Sequence, residues 1–268
     1  MRDMMKSESV LERGILLLDK PGDLTSMQSV EEAKRILGAR KAGHSGTLDP
    51  KVTGLMFIAF NEATKAMPVL AGLEKSYEGV MRLHGPFTRE QLSAVMRGFT
   101  GRIVQTPPRR SAVVRKPRER QVTSLEIVSV SGREVGFRAT TGAGTYIRKL
   151  CHDIGEAMGT GAHMESLRRT AIGPFTIEEA VTMEQLGSRG AAALFPLEQA
   201  LGRLGLPRAV AGRASLEKLM NGIPLDTSEL RGNPPDGLFG IYSRQGRLVA
   251  LARLEGGKAR PERVFRQS

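Results

Sequence analysis

The sequence contains a single cysteine, Cys151, and no tryptophan among its 268 residues. One thiol excludes an intrachain disulfide and any zinc cluster built on thiolates. Aromatic residues are sparse, at nine Phe and three Tyr, so stacking platforms for single-stranded nucleic acid are few. Tyr77 and Tyr146 are the candidates. No apolar run approaches the roughly 20 residues needed to span a bilayer. The opening residues, MRDMMKSESVLERG, carry charges where a signal peptide requires an apolar stretch. Together these features predict a cytoplasmic chain with no membrane association. The four histidines, His44, His84, His152 and His163, show no metal-ligand spacing. Each reads as an RNA contact or a structural group, and no metal is expected.

Hydrophobic residues make up 40% of the chain, enough to bury a core in one large domain or in a large domain plus a small one. Lys and Arg number 40 against 28 Asp and Glu, a formal net charge of +12. So basic a balance points to a polyanionic partner, nucleic acid first and an anionic membrane surface second.

Residues 14–18, GILLL, read as a short buried strand that ends at the turn signal Asp19-Lys20-Pro21-Gly22. The spacing of Val30, Ala33, Ile36 and Leu37 predicts a helix from Ser26 to Leu37. A glycine-punctuated loop, GARKAGHSGTLDPKVTG, follows, then an apolar run from Leu55 to Phe60. Tyr77 to His84 reads as extended. Thr88 with Gln91, and Thr182 with Gln185, form capping-box patterns. Val122–Val130 and Glu134–Thr140 read as paired strands. Residues 146–158 predict a helix with Ile147, Leu150, Cys151, Ile154 and Met158 on one stripe, which places Cys151 in the core. From about Leu201 the chain turns to short segments bounded by turns, predicting a small β-rich unit.

Three constellations are candidates for chemistry. In Gly43 to Gly54, GHSGTLDPKVTG, one carboxylate, Asp49, sits among Lys41, His44 and Lys51. Asp-Pro is common turn chemistry, yet a carboxylate in a basic, glycine-shaped loop is also placed to act on a substrate drawn in by positive charge. In Gly142 to Leu150, GAGTYIRKL, neither phosphate-loop pattern is satisfied. Arg148 and Lys149 fall in the first helical turn, where cations oppose the helix dipole by roughly 0.3–1 kcal/mol each. They are either solvated or offset by a nearby carboxylate or phosphate. The run Arg109 to Arg120, RRSAVVRKPRER, holds Arg109, Arg110, Arg115, Lys116, Arg118 and Arg120. It reads as a solvated charge run or as a phosphate-contacting surface, and it carries no sequence preference.

GHSGTLDPKVTG resembles the catalytic motif of the TruB superfamily of pseudouridine synthases. So do Gly14 to Pro21, Lys75-Ser76-Tyr77, Gly144 to Arg148, and Gly161 to Met164 continuing to Leu167-Arg168-Arg169. Within the superfamily the sequence is most similar to the archaeal and eukaryotic dyskerin-type branch, the catalytic subunit of H/ACA ribonucleoproteins. Pro107-Pro108 with Ser111-Ala112-Val113 and the basic tail, Arg82-Leu83-His84, and GTGAHMESLRRT carry that similarity. The resemblance implies an α+β pseudouridine synthase fold with a mixed central sheet over residues 14–202, after a short extension, 1–13. A small PUA-like RNA-binding β-barrel over 203–268 follows, in shortened form. Gly237 to Ala250 resembles the C-terminal domain of bacterial tRNA enzymes equally well.

The resemblance further implies isomerisation of uridine to pseudouridine in RNA without a cofactor. Asp49 acts as nucleophile or as proton acceptor. Arg148 pairs with it, and Tyr77 stacks on the extruded uracil and helps move the proton from carbon 5. Tyr146 and Leu167 wall the pocket, His44 holds open the space left by the flipped nucleotide, and Lys20 and Pro21 support the loop. The partners implied are rRNA or tRNA, an H/ACA guide RNA and the small H/ACA core proteins. The setting is the cytoplasm of an archaeal-type cell, or the nucleolus of a eukaryote. Two other readings compete: a stand-alone enzyme acting on the T arm of tRNA, and a non-catalytic RNA-binding scaffold. Asp49, present within an intact motif, argues against the scaffold.

Overall fold

A computed structural model describes residues 10–107, 114 and 116–266. The predicted extension 1–13 therefore lies largely outside the described residues, as do Arg109, Arg110 and Arg115.

The fold is α+β, built on a ten-stranded mixed sheet and a six-stranded barrel-like sheet of PUA type. The large sheet comprises β1 (Gly14–Lys20), β2 (Ala42–His44), β3 (Thr53–Phe60), β4 (Lys75–Leu83), β5 (Gly101–Gln105), β6 (Arg118–Ser131), β7 (Glu134–Thr141), β8 (Ala162–Ile172), β9 (Phe175–Thr176) and β10 (Phe195–Pro196). Its order is β10-β1-β3-β8-β4-β7-β6-β5, with β2 added to β3 and β9 to β8. β3 and β8 pair in parallel, Thr53 with Arg168 and Gly54 with Arg169. Gly54 has φ +107°, and a Cβ there would lie 2.2 Å from the Arg169 carbonyl oxygen. Only glycine allows the two backbones to meet this closely.

The helices that position the candidate site are α1 (Ser26–Leu37), α2 (Met67–Ala71), α3 (Arg89–Gly98) and α4 (Ile147–Ala157). α1 has the predicted limits, and Thr25 with Gln28 closes a capping box at its start. α3 begins with the expected Thr88–Gln91 box. α4 lays Ile147, Leu150, Cys151 and Ile154 into a core with Tyr77, Met81, Phe137 and Leu167. Burial pushes the Cys151 thiol up to about 12, which suits packing and not nucleophilic chemistry.

Two expectations need correction, and one strand is unmarked in the sequence. β1 does not stop at Leu18. Asp19 and Lys20 continue the ladder opposite Leu55 and Gly54, because Asp19 pairs with Arg168 and the Lys20 ammonium is satisfied by backbone carbonyls of Pro21, Leu24 and Pro50. The glycine-punctuated loop contains a strand, β2, paired with the end of β3. β8, which crosses the sheet centre, carries no strand pattern in the sequence. Its residues, AHMESLRRTAI, lack apolar alternation because two buried or half-buried arginines occupy positions where a pattern rule expects hydrophobic residues.

The six-stranded sheet comprises β11 (Arg208–Ala211), β12 (Leu225–Asp226), β13 (Leu230–Arg231), β14 (Gly237–Tyr242), β15 (Leu248–Glu255) and β16 (Lys258–Val264). This unit is not purely β, since a helix, Arg213–Met220, packs against it. Phe239, Ile241, Val249 and Leu219 form its own core. Tyr242, Leu251 and Phe265 pack instead with Ile15, Phe57 and Phe175 of the large sheet. Arg13, buried beside them, donates to Glu198, to the Leu248 carbonyl and to the Arg266 carbonyl.

Candidate active site

Asp49 lies in the segment between β2 and β3. Its neighbours are fixed from several sides. The Ser26 hydroxyl at the start of α1 donates to the Leu48 carbonyl at 3.0 Å and accepts from the Leu48 N–H at 2.8 Å. The Leu48 and Val52 side chains drop into the core that holds Tyr77. The Val52 N–H donates back to the Asp49 carbonyl at 3.0 Å. Buried Lys20 donates its Nζ to the carbonyls of Pro21 at 2.5 Å, Leu24 at 2.6 Å and Pro50 at 3.1 Å. It therefore ties the turn after β1 to the residue next to Asp49. Burial lowers the Lys20 pKa, with Asp23 opposing. Pro21 is exposed at the same turn.

With the backbone so held, the Asp49 carboxylate points to solvent and to α4. Arg148 Nη2 stands 3.0 Å from Asp49 Oδ2, with the two side chains 49% and 41% exposed. Lys149, the other cation of this first turn, pairs with Asp153. Both cations that oppose the helix dipole are thus offset by carboxylates.

The remaining predicted residues divide. Tyr77 on β4 is buried and stands opposite Arg169 on β8. Leu167 shares its core cluster with Leu48 and Ile147. Tyr146, half-buried, immediately precedes α4. His44 ends β2, and its Nδ1 accepts the Gly46 N–H at 3.3 Å. Burial, and secondly the Arg169 charge, lower the His44 pKa, favouring the neutral ring at neutral pH. Lys116 and Arg118 are exposed, and Arg120 lies against Gly144. A groove of about 480 Å³ opens beside the loop. It is lined by Leu167, Lys51 and Arg168 among others, but not by Asp49, Tyr77 or Arg148.

Four residues around this site have no role assigned from the sequence, although Lys75 and Arg169 lie in the motifs that carry the resemblance. Arg169 is buried and donates Nε to the Leu55 carbonyl at 2.6 Å and Nη2 to the Gly46 carbonyl at 3.3 Å. Burial lowers its pKa, and the Tyr77 side chain opposes that shift. Lys75 donates to the Ala71 carbonyl at 2.9 Å and the Leu73 carbonyl at 2.6 Å. Burial, then Arg169, pulls its pKa to about 8. Ser26 holds Leu48, and Gln105 holds the backbone of Tyr146. For Arg169 and Lys75 the available signal was a cation inside an otherwise regular element. Ser26 and Gln105 left none.

Comparisons with known proteins bear on the family of the chain. Residues 34–86 match the TruB family pseudouridylate synthase N-terminal domain. Residues 148–207 match the tRNA pseudouridylate synthase B C-terminal domain. A curated archaeal relative, the probable tRNA pseudouridine synthase B of Methanopyrus kandleri, is 40% identical over 260 residues, spanning 91% of this chain and 76% of that protein. The crystal structure of a Cbf5-Nop10-Gar1 complex contains a chain that superposes with TM-score 0.86 at 35% identity, covering 97% of this chain and 87% of that one. An H/ACA RNP bound to a substrate RNA containing 2′-deoxyuridine gives TM-score 0.83 at 33% identity, covering 97% of this chain and 87% of that one. The chain belongs to the TruB family of pseudouridine synthases, which isomerise uridine in RNA.

Proposed function

We propose that this chain isomerises a target uridine in RNA, rRNA first, as the catalytic member of a guided H/ACA-type assembly, with Asp49 as its reacting carboxylate. The observation that carries the reading is the 3.0 Å pair between Arg148 and Asp49, which holds the carboxylate at the mouth of the site. The likeness over 97% of the chain to subunits of H/ACA complexes supports the guided form. In the reaction the bond from ribose C1′ to uracil N1 breaks, the base turns, and C1′ bonds to C5. The proton lost from C5 is balanced by one gained at N1. Asp49 attacks as nucleophile or accepts a proton. Tyr77 stacks on the base and assists the transfer from C5. Tyr146 and Leu167 wall the pocket, and His44 holds open the space left by the flipped nucleotide. Lys20 and Pro21 hold the loop. Arg109, Arg110, Arg115, Lys116, Arg118 and Arg120 contact phosphates. Residues 14–202 form the catalytic unit and 203–268 the RNA-anchoring unit. The small H/ACA core proteins are partners, and the setting is the cytoplasm of an archaeal-type cell. Among the described residues no helix is long and apolar enough to cross a membrane.

A second reading, stand-alone action on the tRNA T arm, is favoured by the name of the Methanopyrus kandleri relative. Incubating the purified chain with unmodified tRNA, and separately with guide RNA, core proteins and a target RNA, distinguishes the two. Pseudouridine formed only in the guided mixture supports the first reading. Efficient conversion of free tRNA alone overturns it.

A further inference from the structure

Gln105 is the last residue of β5, which among the described residues pairs only with β6 and so forms an edge of the large sheet. Its side chain is turned inward and the residue is 2% exposed. Gln105 Oε1 accepts the Tyr146 N–H at 3.0 Å, and Gln105 Nε2 donates to the Tyr146 carbonyl at 3.2 Å. One carboxamide thus engages both backbone groups of one residue, as a neighbouring strand's peptide would.

The engaged residue is the one from which α4 starts, two positions before Arg148. Apart from the buried Ile147 and Leu150 and the bonds of Thr145 to Gly142, that helix start lacks a cap of its own. Tyr146 supplies no side-chain cap and the first turn has no acidic residue. Arg148 and Lys149 both sit against the dipole. The glycine loop before it is tied to β6, where the Gly142 N–H donates to the Gln121 carbonyl at 2.9 Å. Arg120 lies so close to Gly144 that a Cβ there would meet its guanidinium at 3.1 Å.

We propose that Gln105 is a positioning residue for the isomerisation, whose two bonds to the Tyr146 backbone fix the helix start that carries Arg148 to Asp49. The proposal rests on the reading that Asp49 and Arg148 form the reacting site. Few side chains can replace it. Asn is one methylene too short. Met has similar length but no polar pair. An ionised Glu accepts from the Tyr146 N–H but sets negative charge against its carbonyl, whereas a protonated Glu regains a donor.

Single-turnover rates, RNA affinity and thermal melting of Gln105→Met and Gln105→Glu test this, on whichever RNA the parent protein converts. Gln105→Met is expected to lose about tenfold to a hundredfold in rate, since small misplacements near the chemistry cost on that scale. RNA affinity is expected to change by no more than about twofold, because phosphate contacts dominate it. Gln105→Glu should regain rate as pH falls relative to the parent, a signature that lost packing does not give. Combined with Arg148→Lys, the Gln105→Met loss should be less than multiplicative, as for residues acting through one another. A folded Gln105→Met with a near-parental rate overturns the proposal, as do losses that multiply with Arg148→Lys. If Gln105→Met does not fold, the pH profile of Gln105→Glu decides, and a profile parallel to the parent's overturns the proposal. Asp49→Ala run alongside keeps the two readings apart. Turnover by that variant removes the site itself, whereas an inactive Asp49→Ala beside a normal Gln105→Met removes only the role of Gln105.

Discussion

Arg148 reaches Asp49 from the first turn of a helix whose dipole disfavours it, and closes to 3.0 Å. The pair is about half exposed, so its contribution to stability is small. On the proposed reading its consequence is positional, because the guanidinium stands against one carboxylate oxygen, Oδ2, from the side of the helix.

Arg148→Lys should therefore be far from conservative. An ammonium keeps the charge but not the planar, forked donor set. The expected loss is on the order of a hundredfold in single-turnover rate, with RNA affinity and melting temperature nearly unchanged. A rate close to the parent's would show that the orientation of Asp49 does not depend on this residue.

Ser26 offers a stability test of the same loop. Its buried hydroxyl is donor and acceptor to the backbone of Leu48. Ser26→Ala leaves a buried N–H and carbonyl without those bonds, at about 1–3 kcal/mol. Denaturant unfolding should show that loss, and turnover should fall with it. An unchanged unfolding midpoint would mean that the loop is held by its apolar anchors alone.

Lys75 gives a pH signature. Burial holds its folded-state pKa at about 8, below the ordinary 10.5. Between those values the unfolded chain binds a proton that the folded chain does not, so this residue's contribution to stability rises with pH across that window. Below about pH 8 both states are protonated and the contribution is constant. In Lys75→Met that rise should vanish, so the parent's stability minus the variant's should increase from neutral to alkaline pH. A gap that stays constant would place the Lys75 pKa near its ordinary value.

The basic run is tested by salt. Each lost phosphate contact should reduce the slope of log affinity against log salt by roughly 0.7–0.9. Replacing Lys116 and Arg118 with Ala should flatten the slope accordingly with little change in rate. Arg120→Ala should also slow the reaction, since Arg120 packs against Gly144 in the loop leading to Arg148. A full slope in the Lys116 and Arg118 variant would make the run a solvated face.

Much of this was legible in the sequence, and for identifiable reasons. α1 and α4 were readable because their apolar stripes follow the helical period and their ends carry caps or glycines. The juxtaposition of Asp49 and Arg148 was legible only through resemblance, since no local pattern relates a loop to a helix so far along the chain. β8 was illegible because its centre carries Arg168, paired with Asp19, and Arg169, buried among carbonyls. Their partners lie on other strands, so a linear pattern shows only two charges where a strand core should be apolar. Gln105 and Ser26 were invisible for the same reason: a small polar side chain that satisfies distant backbone looks, in sequence, like any surface residue.

The most direct test of the account is single-turnover pseudouridine formation by Asp49→Asn and Asp49→Ala, measured with RNA binding on the same preparations. Asn keeps the shape and removes the charge, and Ala removes both. Both variants should bind RNA as the parent does and form no pseudouridine, because the carboxylate supplies the chemistry and the basic surface supplies the affinity. Measurable turnover by Asp49→Ala would contradict the assignment of Asp49 and, with it, the site built around it.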